Sequence, residues 1–263
     1  MRLPTCLLSC LLTALATGTQ GADESRVLVM AGDDYCPLTC DPDSGNKGLA
    51  YDFAVQLFGP LGWRIEYRYL PWQRAVKQFK AGQIDLLPGV PLEGSSEQEQ
   101  AQFAKTPLMN PPFCFYTQAG RTWYFQGSDS LLSGKLAVIG GYYYWPELRE
   151  YLAAHRQDGQ VITLASERPM QLAMLGLQRG RFDYFVELRP AVEYQLRQQQ
   201  LGEQIREAGC QGPYPLYIAF GPDFAGAAEL SLHWDRHYLD ALHSPTGRAL
   251  LQRYGLTPQS LME

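Results

Sequence analysis

The sequence predicts an α/β protein built from two similar lobes. Short apolar segments alternate with amphipathic segments, a pattern typical of parallel strands joined by helical crossovers. The segment KAGQIDLLPGV at 80–90 has a counterpart in QRGRFDYFVEL at 178–188. Each begins with a helix end that contains a basic residue and a glycine. Each then continues with an apolar residue, an aspartate and a predicted buried strand. The last predicted strand, 217–220, has no third unit to join. We therefore expect the chain to return to the first lobe, crossing between lobes near 112–119 and 211–218.

The first lobe is predicted to run strand, loop, helix, strand, helix, strand. Strict alternation, as in WRIEYRYL, indicates a strand, whereas glycine and proline mark the ends of helices. The predicted elements are a strand at 26–31, a loop at 32–48, a helix at 49–58, a strand at 63–70, a helix at 71–82, a strand at 84–90 and a polar surface loop at 93–102 that leads into a helical turn.

The second lobe is predicted to repeat this alternation, and the end of the chain then adds one strand and two helices. Buried apolar runs again predict the strands, and proline opens most of the helices. The predicted strands are 113–117, 135–139, 161–164 and 182–187, the predicted helices are 146–155, 169–180 and 190–200, and the closing elements are a strand at 217–220 with helices at 227–242 and 246–254.

Composition and the first residues indicate an exported globular protein. Hydrophobic residues make up 46% of the 263 residues, enough for a core, and the net charge of −5 without a basic block argues against a nucleic-acid partner. Arg2, the uncharged apolar run 6–16 and the small residues that follow predict a signal peptide, 1–22, cleaved after Gly21 or Ala22. The run is too short to span a membrane. The segment 7–10 also resembles a lipoprotein cleavage motif, but cleavage there would leave almost no apolar run before the cleavage site, so it is the less favoured alternative.

Four cysteines remain after that cleavage. An even number in an exported chain favours disulfides, and four cysteines allow three pairings. Cys36 and Cys40 share one loop, YCPLTCDPD, and we expect them to pair. Cys114 could pair with Cys210 or remain a buried thiol. No cysteine or histidine lies near enough in sequence to complete a zinc site, so we expect no metal. No phosphate-binding loop or dinucleotide fingerprint is present, and we expect no cofactor.

The chain resembles the family 3 extracellular solute-binding proteins, the periplasmic polar amino acid-binding group. The order and spacing of several segments carry the resemblance: KGLAYDFAVQLFGPLGW (47–63), YLPWQRAVKQFKAGQIDLLPGV (69–90), SLLSGKLAVIGGYYYWPELREYL (130–152), LQRGRFDYFVELRPAVEYQL (177–196), LYIAF (216–220) and GRALLQRYGL (247–256).

The resemblance implies a type II periplasmic binding protein fold, in which two α/β lobes joined by a two-strand hinge enclose a ligand cleft. The first lobe would contain 23–114 and 216–263, and the second 115–215. The resemblance also implies a monomeric periplasmic receptor without catalysis. It would close on a polar, amino acid-like molecule and present it to an ABC permease or a membrane sensor.

In this family the ligand meets loops at the carboxyl ends of strands and at helix N-termini. Arg74 could hold a ligand carboxylate through a bidentate pair, and Asp34 or Glu187 could hold an ammonium group. Arg74 could equally be a solvated side chain, and Trp72 could equally pack in the core. The candidate ligand-binding residues are Asp34, Tyr35, Trp72, Arg74, Gly89, Val90, Gly141, Tyr142, Tyr143 and Glu187.

The segment GGYYYW at 140–145 places two glycines and four aromatic rings on a strand-to-helix turn. Glycine lets the backbone approach a ligand closely, and free N–H groups at a helix start can receive an anion. Neighbouring rings on a turn cannot all point in one direction. We therefore expect one or two of the four rings to contact the ligand and the others to pack in the lobe.

One departure from the family leaves the ligand class open. Amino acid binders usually carry a Thr…Glu-Arg segment whose arginine grips the α-carboxylate, but the region 94–103 contains no arginine or lysine. Two alternatives to an importer receptor therefore remain: a sensor module, and a dehydratase-type enzyme with an acid and a base in the cleft. His233 and His237 have the spacing of a zinc pair but lack the glutamate of HExxH, so a surface helix is expected there.

Overall fold

The computed structural model describes residues 26–92 and 101–262. The predicted signal peptide, its cleavage site and most of the polar segment predicted at 93–102 lie outside the described residues. Within those two ranges, no helix is both long enough and apolar enough to cross a membrane.

The described residues form ten strands and eight α-helices. The strands are β1 (Arg26–Gly32), β2 (Trp63–Tyr69), β3 (Leu86–Val90), β4 (Gln102–Phe103), β5 (Phe113–Gln118), β6 (Leu136–Ile139), β7 (Val161–Leu164), β8 (Tyr184–Leu188), β9 (Ile205–Gln211) and β10 (Tyr217–Phe220). The helices are α1 (Leu49–Phe58), α2 (Trp72–Lys80), α3 (Pro146–Ala154), α4 (Pro169–Gln178), α5 (Arg189–Gln198), α6 (Ala227–His243), α7 (Pro245–Arg253) and α8 (Pro258–Met262).

Two five-stranded sheets confirm the predicted two-lobed α/β fold. The first has the order β2-β1-β3-β10-β4 and the second β7-β6-β8-β5-β9. Each contains the parallel core that the alternation predicted: β1 with β2 and β3, and β6 with β7 and β8. The sheets are nevertheless mixed, because β10 runs antiparallel to β3, and β5 runs antiparallel to β8. These antiparallel strands lie beside the points where the chain passes from one sheet to the other.

Three elements were not predicted. The helical turn expected near 102 is wrong, because Gln102 and Phe103 form β4 against β10. Strand β9 pairs with β5, although its sequence IREAGCQ shows no apolar alternation. Helix α8 follows the last predicted helix. Each of these is short or polar, and pairing or packing with a distant segment stabilises it.

The two crossing segments pair with each other between the sheets. The Leu216 carbonyl accepts a 2.8 Å hydrogen bond from the Leu108 N–H, and the Leu216 N–H donates a 2.8 Å hydrogen bond to the Met109 carbonyl. Leu216 and Met109 form an isolated antiparallel bridge. The crossing expected at 112–119 is therefore misplaced, since β5 begins at Phe113 and belongs wholly to the second sheet. The lobe boundary drawn after Cys114 stays a prediction of the sequence, and it falls within β5.

Each lobe packs large rings beneath its sheet. In the first lobe Phe53 of α1 meets Tyr238 of α6 edge to face at 5.3 Å, and both side chains are fully buried. In the second, Trp123 stacks on Tyr184 with ring centroids 3.7 Å apart. Such rings bury more apolar area than any other side chains, so they dominate the packing that holds the cleft walls in place.

The described part of the chain contains two disulfides. Cys36 pairs with Cys40, as expected, within the loop that follows β1. Cys114 pairs with Cys210 across β5 and β9, which decides between the two alternatives that the sequence left open. The Cys36–Cys40 disulfide closes the turn that follows Tyr35, which lies two residues after Asp33 at the end of β1.

Candidate functional site

A small cavity lies between the two sheets, and both lobes supply its walls. It contains two carboxyl groups and five aromatic rings. The lining residues are Asp33, Tyr35, Leu38, Thr39, Trp72, Pro88, Gly89 and Pro91 from the first lobe, Phe113, Tyr142, Tyr143, Glu187 and Leu188 from the second, and Leu216 from the crossing.

Glu187 occupies the carboxyl end of β8, where buried strand residues give way to α5. Its side chain is only 1% exposed. Oε1 accepts hydrogen bonds from the Tyr35 hydroxyl at 2.6 Å and from the Leu188 N–H at 2.9 Å. Oε2 is buried and has no hydrogen-bond partner among the described residues. The carboxyl group therefore has unused acceptor capacity inside the cavity.

Burial raises the pKa of Glu187 to about 7, since removal from water disfavours the charged form. The negative charge of Asp33 acts in the same direction. The hydrogen bonds from Tyr35 and from the Leu188 N–H oppose the shift and lower the pKa, and the nearby hydroxyl of Tyr144 has a smaller effect in the same direction. The side chain thus titrates close to neutral pH.

Asp33 is the second carboxyl group of the cavity and follows the last residue of β1. Its Oδ2 accepts a 2.7 Å hydrogen bond from the Tyr142 hydroxyl. Burial raises the pKa of Asp33 to about 6, although the Tyr142 hydrogen bond lowers it. The sequence had favoured the neighbouring Asp34 as the candidate ligand-binding residue. Successive residues leaving a strand point in opposite directions, and only Asp33 points into the cavity.

The two tyrosine–carboxylate pairs bridge the lobes in a reciprocal way. Tyr35 of the first lobe donates to Glu187 of the second, and Tyr142 of the second lobe donates to Asp33 of the first. The two rings also meet edge to face, with centroids 5.3 Å apart. Burial raises the pKa of both tyrosines well above the ordinary value, so both hydroxyls remain neutral donors.

The lobes are closed on each other in this arrangement. Trp72 at the start of α2 contacts Tyr142 and Tyr143 across the cleft, with ring centroids 6.5 Å and 6.3 Å apart. The cavity has a volume of about 50 Å³. That space holds a few waters but no molecule the size of an amino acid. A solute of that size can enter only when the lobes separate.

Six of the ten candidate ligand-binding residues line this cavity, although their contact with a ligand stays a prediction. They come from five separate parts of the sequence: Tyr35, Trp72, Gly89, Tyr142, Tyr143 and Glu187.

The other four candidates lie outside it. Asp34 lines a separate groove with Asp41 and Arg168. Arg74 is exposed in the first turn of α2. Val90 is fully buried in the apolar core of the first lobe.

Gly141, the fourth of these, is a packing position between the lobes. Its φ of +83° suits glycine, and a Cβ atom there would lie 2.5 Å from Nε2 of Gln73 and 2.9 Å from its Cγ. The close approach expected of this glycine is therefore made to the opposite lobe. Contact of Gly141 with a ligand stays a prediction.

The four rings of the GGYYYW turn divide into two pairs. Tyr142 and Tyr143 face the cavity. Tyr144 is buried in its own lobe and accepts a 2.9 Å hydrogen bond from the Ile139 N–H. Trp145 stacks on Tyr214, with ring centroids 5.6 Å apart. The expectation that only one or two rings would face the ligand is compatible with this division.

Several lining residues were not predicted from the sequence. Asp33 was identifiable only as one of two adjacent aspartates. Phe113 and Leu216 join the cavity because the crossing segments pass beside it, and nothing local in their sequence signals that position. Leu38 and Thr39 enter it through the turn that the Cys36–Cys40 disulfide closes, in which Tyr35 bridges to Thr39.

Two sheets facing a cleft and joined by paired crossings define a periplasmic binding protein-like fold. Comparison with solved structures agrees. A histidine kinase sensor domain with similarity to periplasmic binding proteins superposes with a TM-score of 0.68 at 19% identity, covering 92% of this chain and 99% of that one. An ancestral arginine-binding protein bound to arginine gives 0.68 at 17% identity, covering 87% and 98%.

A further structure gives a TM-score of 0.71 at 14% identity, covering 91% of this chain and 98% of the other. It was solved in work on glutathione import in Gram-positive bacteria through a cystine ABC importer of Streptococcus mutans. No family model and no curated protein matches the sequence. The fold of this chain is therefore shared with these proteins, while its ligand has to be inferred from its own residues.

Proposed function

We propose that this chain is a periplasmic solute-binding protein that captures a polar small molecule between its closing lobes and delivers it to an ABC importer. The observation that carries the proposal is the buried hydrogen bond from Tyr35 to Glu187, which joins the two lobes inside the cleft. A polar contact of this kind can be exchanged for a contact with a solute. The similarity to the structure from work on import through a cystine ABC importer supports the same function.

The hinge supports closure as the working motion. Within 26–92 and 101–262, the backbone passes between the lobes at the two crossing segments, which meet at Met109 and Leu216. Rotation about a few such residues separates the walls without disturbing either sheet. A solute that contacts both walls stabilises the closed form by the difference between its affinities for the two states. The closed form would then be the one that the permease recognises.

We infer binding without catalysis. The structures to which the chain is similar include binding proteins for amino acids. Glu187 and Asp33 could in principle serve as an acid and a base, because their pKa values of about 7 and 6 lie near neutrality. A dehydratase-type enzyme would consume the molecule that binds, and recovery of that molecule unchanged after prolonged incubation tests this alternative directly.

A sensor module is the second candidate. The observation that favours it is the similarity to a histidine kinase sensor domain, which extends over 92% of this chain. A sensor would bind the same solute and close in the same way, but its partner would be a membrane signalling protein.

The test begins with the chain lacking 1–22, titrated with amino acids, amines and small carboxylates in a thermal-shift assay. A solute at ~100 times its Kd should stabilise the fold by roughly 2.7 kcal/mol. Uptake of the radiolabelled solute is then measured in cells with and without this chain. Loss of uptake supports the importer role, and unchanged uptake with a lost transcriptional response supports the sensor. No stabilisation by any solute contradicts both.

A further inference from the structure

We propose that the solute is an organic cation, an amine that lacks a carboxylate and whose charged nitrogen lies between Glu187 and Asp33. The inference rests on the proposed function, because it names the class of solute that the cleft would capture. It departs from the expectation of an amino acid-like ligand.

The first argument is the unsatisfied oxygen of Glu187. Oε2 is buried, belongs to a side chain that lines the cavity, and has no hydrogen-bond partner among the described residues. A buried carboxylate without a partner is unfavourable, and an ammonium group supplies both N–H donors and the opposite charge. Asp33 offers a second carboxylate on the facing wall. Two such groups suit one cation better than they suit a neutral solute.

The second argument is the distribution of positive charge. None of the cavity-lining residues that the structure describes is a lysine or an arginine. The segment 93–100, although not described, contains neither residue in its sequence. Arg168 lines one neighbouring groove, where it is paired with Asp41 at 3.0 Å. Arg149 lines another pocket, which shares Phe113 and Tyr143 with the cavity, but it is not among the residues that line the cavity itself. A ligand carboxylate in this cavity would thus be buried beside two acidic groups, and none of the described lining residues carries a positive charge that could neutralise it.

The third argument is the aromatic lining. Tyr35, Trp72, Tyr142 and Tyr143 surround the cavity, and the ring of Tyr142 contacts both Tyr35 and Trp72 edge to face. The faces of such rings attract cations, and several rings around one site favour an ammonium group over a neutral or anionic one. The rings also stabilise the closed lobes by packing on one another, so both roles are compatible.

The tyrosine hydroxyls indicate how an amine would be received. Each donates to a carboxyl group of the opposite lobe, at 2.6 Å and 2.7 Å. When the lobes separate, both carboxyl groups lose these donors together. The N–H groups of an amine can then take their place and restore the link between the walls.

Isothermal titration with matched solute pairs tests the proposal. Tyramine is compared with tyrosine, histamine with histidine, putrescine with ornithine, and agmatine with arginine, since the members of each pair differ by one carboxylate. We expect at least one amine to bind about tenfold or more tightly than its parent amino acid. An amino acid or a carboxylate that binds as tightly as every amine overturns this inference but supports the receptor. Binding of none of the solutes overturns the receptor itself.

Isosteric variants then locate the site. With the amine that binds best, Glu187→Gln and Asp33→Asn should each weaken binding about tenfold or more. Asp52→Asn is the matched control, because Asp52 also accepts from a tyrosine, Tyr254, at 2.9 Å but within one lobe. Circular dichroism confirms that each variant is folded. Unchanged amine affinity in folded Glu187→Gln and Asp33→Asn overturns the proposal, as does an equal loss in Asp52→Asn.

Discussion

The hydroxyl of Tyr35 donates a 2.6 Å hydrogen bond to Oε1 of Glu187, a residue 152 positions further along the chain and in the other lobe. The same chemistry recurs with the lobes exchanged, since Tyr142 donates to Asp33 over 109 positions. Two neutral donors and two buried carboxyl groups thus hold the cleft closed. Any solute that occupies it has to compete with these internal partners or use the acceptor capacity that they leave.

Replacing Tyr35 with phenylalanine should favour the open form. The substitution removes one donor and leaves Oε1 of Glu187 with the Leu188 N–H alone. The closed state should lose about 1–3 kcal/mol, because a hydrogen bond to a buried, partly charged group is removed. Small-angle scattering should report a larger radius of gyration. Tyr254→Phe removes a similar hydrogen bond within one lobe, and equal scattering changes in both variants would contradict a latch between lobes.

The unliganded protein should be more stable at pH 5 than at pH 8. Burial raises the pKa of Asp33 to about 6 and of Glu187 to about 7, above the values of about 4 expected in the unfolded chain. The folded state therefore binds protons more tightly, and this stabilisation is complete below about pH 4 and lost as the pH rises through 6 and 7. Each carboxyl group should contribute on the order of 2–3 kcal/mol to the free energy of unfolding at low pH, and this contribution is lost at high pH.

Urea unfolding at the two pH values checks this sign. Glu187→Gln should reduce the difference in unfolding free energy between pH 5 and pH 8, because the glutamine does not titrate. Asp52→Asn should leave most of that difference in place. A wild-type protein that is more stable at pH 8 would contradict the assigned burial of the two carboxyl groups. Amine binding should show the opposite trend and strengthen toward pH 8, where the carboxylates are ionised.

Replacing Gly141 with alanine should hinder closure. The residue has a φ of +83°, and its added Cβ would collide with Gln73 of the opposite lobe. Gly62→Ala is a matched control, since Gly62 has a φ of +84° with nothing within 4 Å of the added atom. Both variants should lose about 1–3 kcal/mol through backbone strain. Only Gly141→Ala should also increase the radius of gyration measured by small-angle scattering. An equal increase in both variants would show that the contact with Gln73 does not control closure.

Replacing Arg74 with alanine should leave solute affinity within about twofold of the wild type, as expected of a surface substitution away from the site. The side chain is exposed in the first turn of α2 and is not among the residues that line the cavity. Calorimetry with the best-binding solute measures the effect. A loss of tenfold or more would restore the original hypothesis that Arg74 holds a ligand carboxylate, and it would count against an amine.

Local sequence patterns predicted the parallel units and the strand end that carries Glu187, because burial and alternation are properties of neighbouring residues. They did not predict β9, whose polar sequence becomes a strand only through pairing with β5. The choice of Asp33 over Asp34 likewise depends on how β1 leaves its sheet. Phe113 and Leu216 reach the cavity only because the lobes close over the crossing segments.

The most direct test of closure on a solute is the distance between the lobes. Spin labels at Val55→Cys and Leu132→Cys would occupy exposed positions on the first and second lobes. At pH 8, where the carboxyl groups are ionised, we expect the unliganded protein to sample open and closed distances. A bound solute should narrow the distribution to the shorter distance. A distribution that is identical with and without every solute tested would contradict the account.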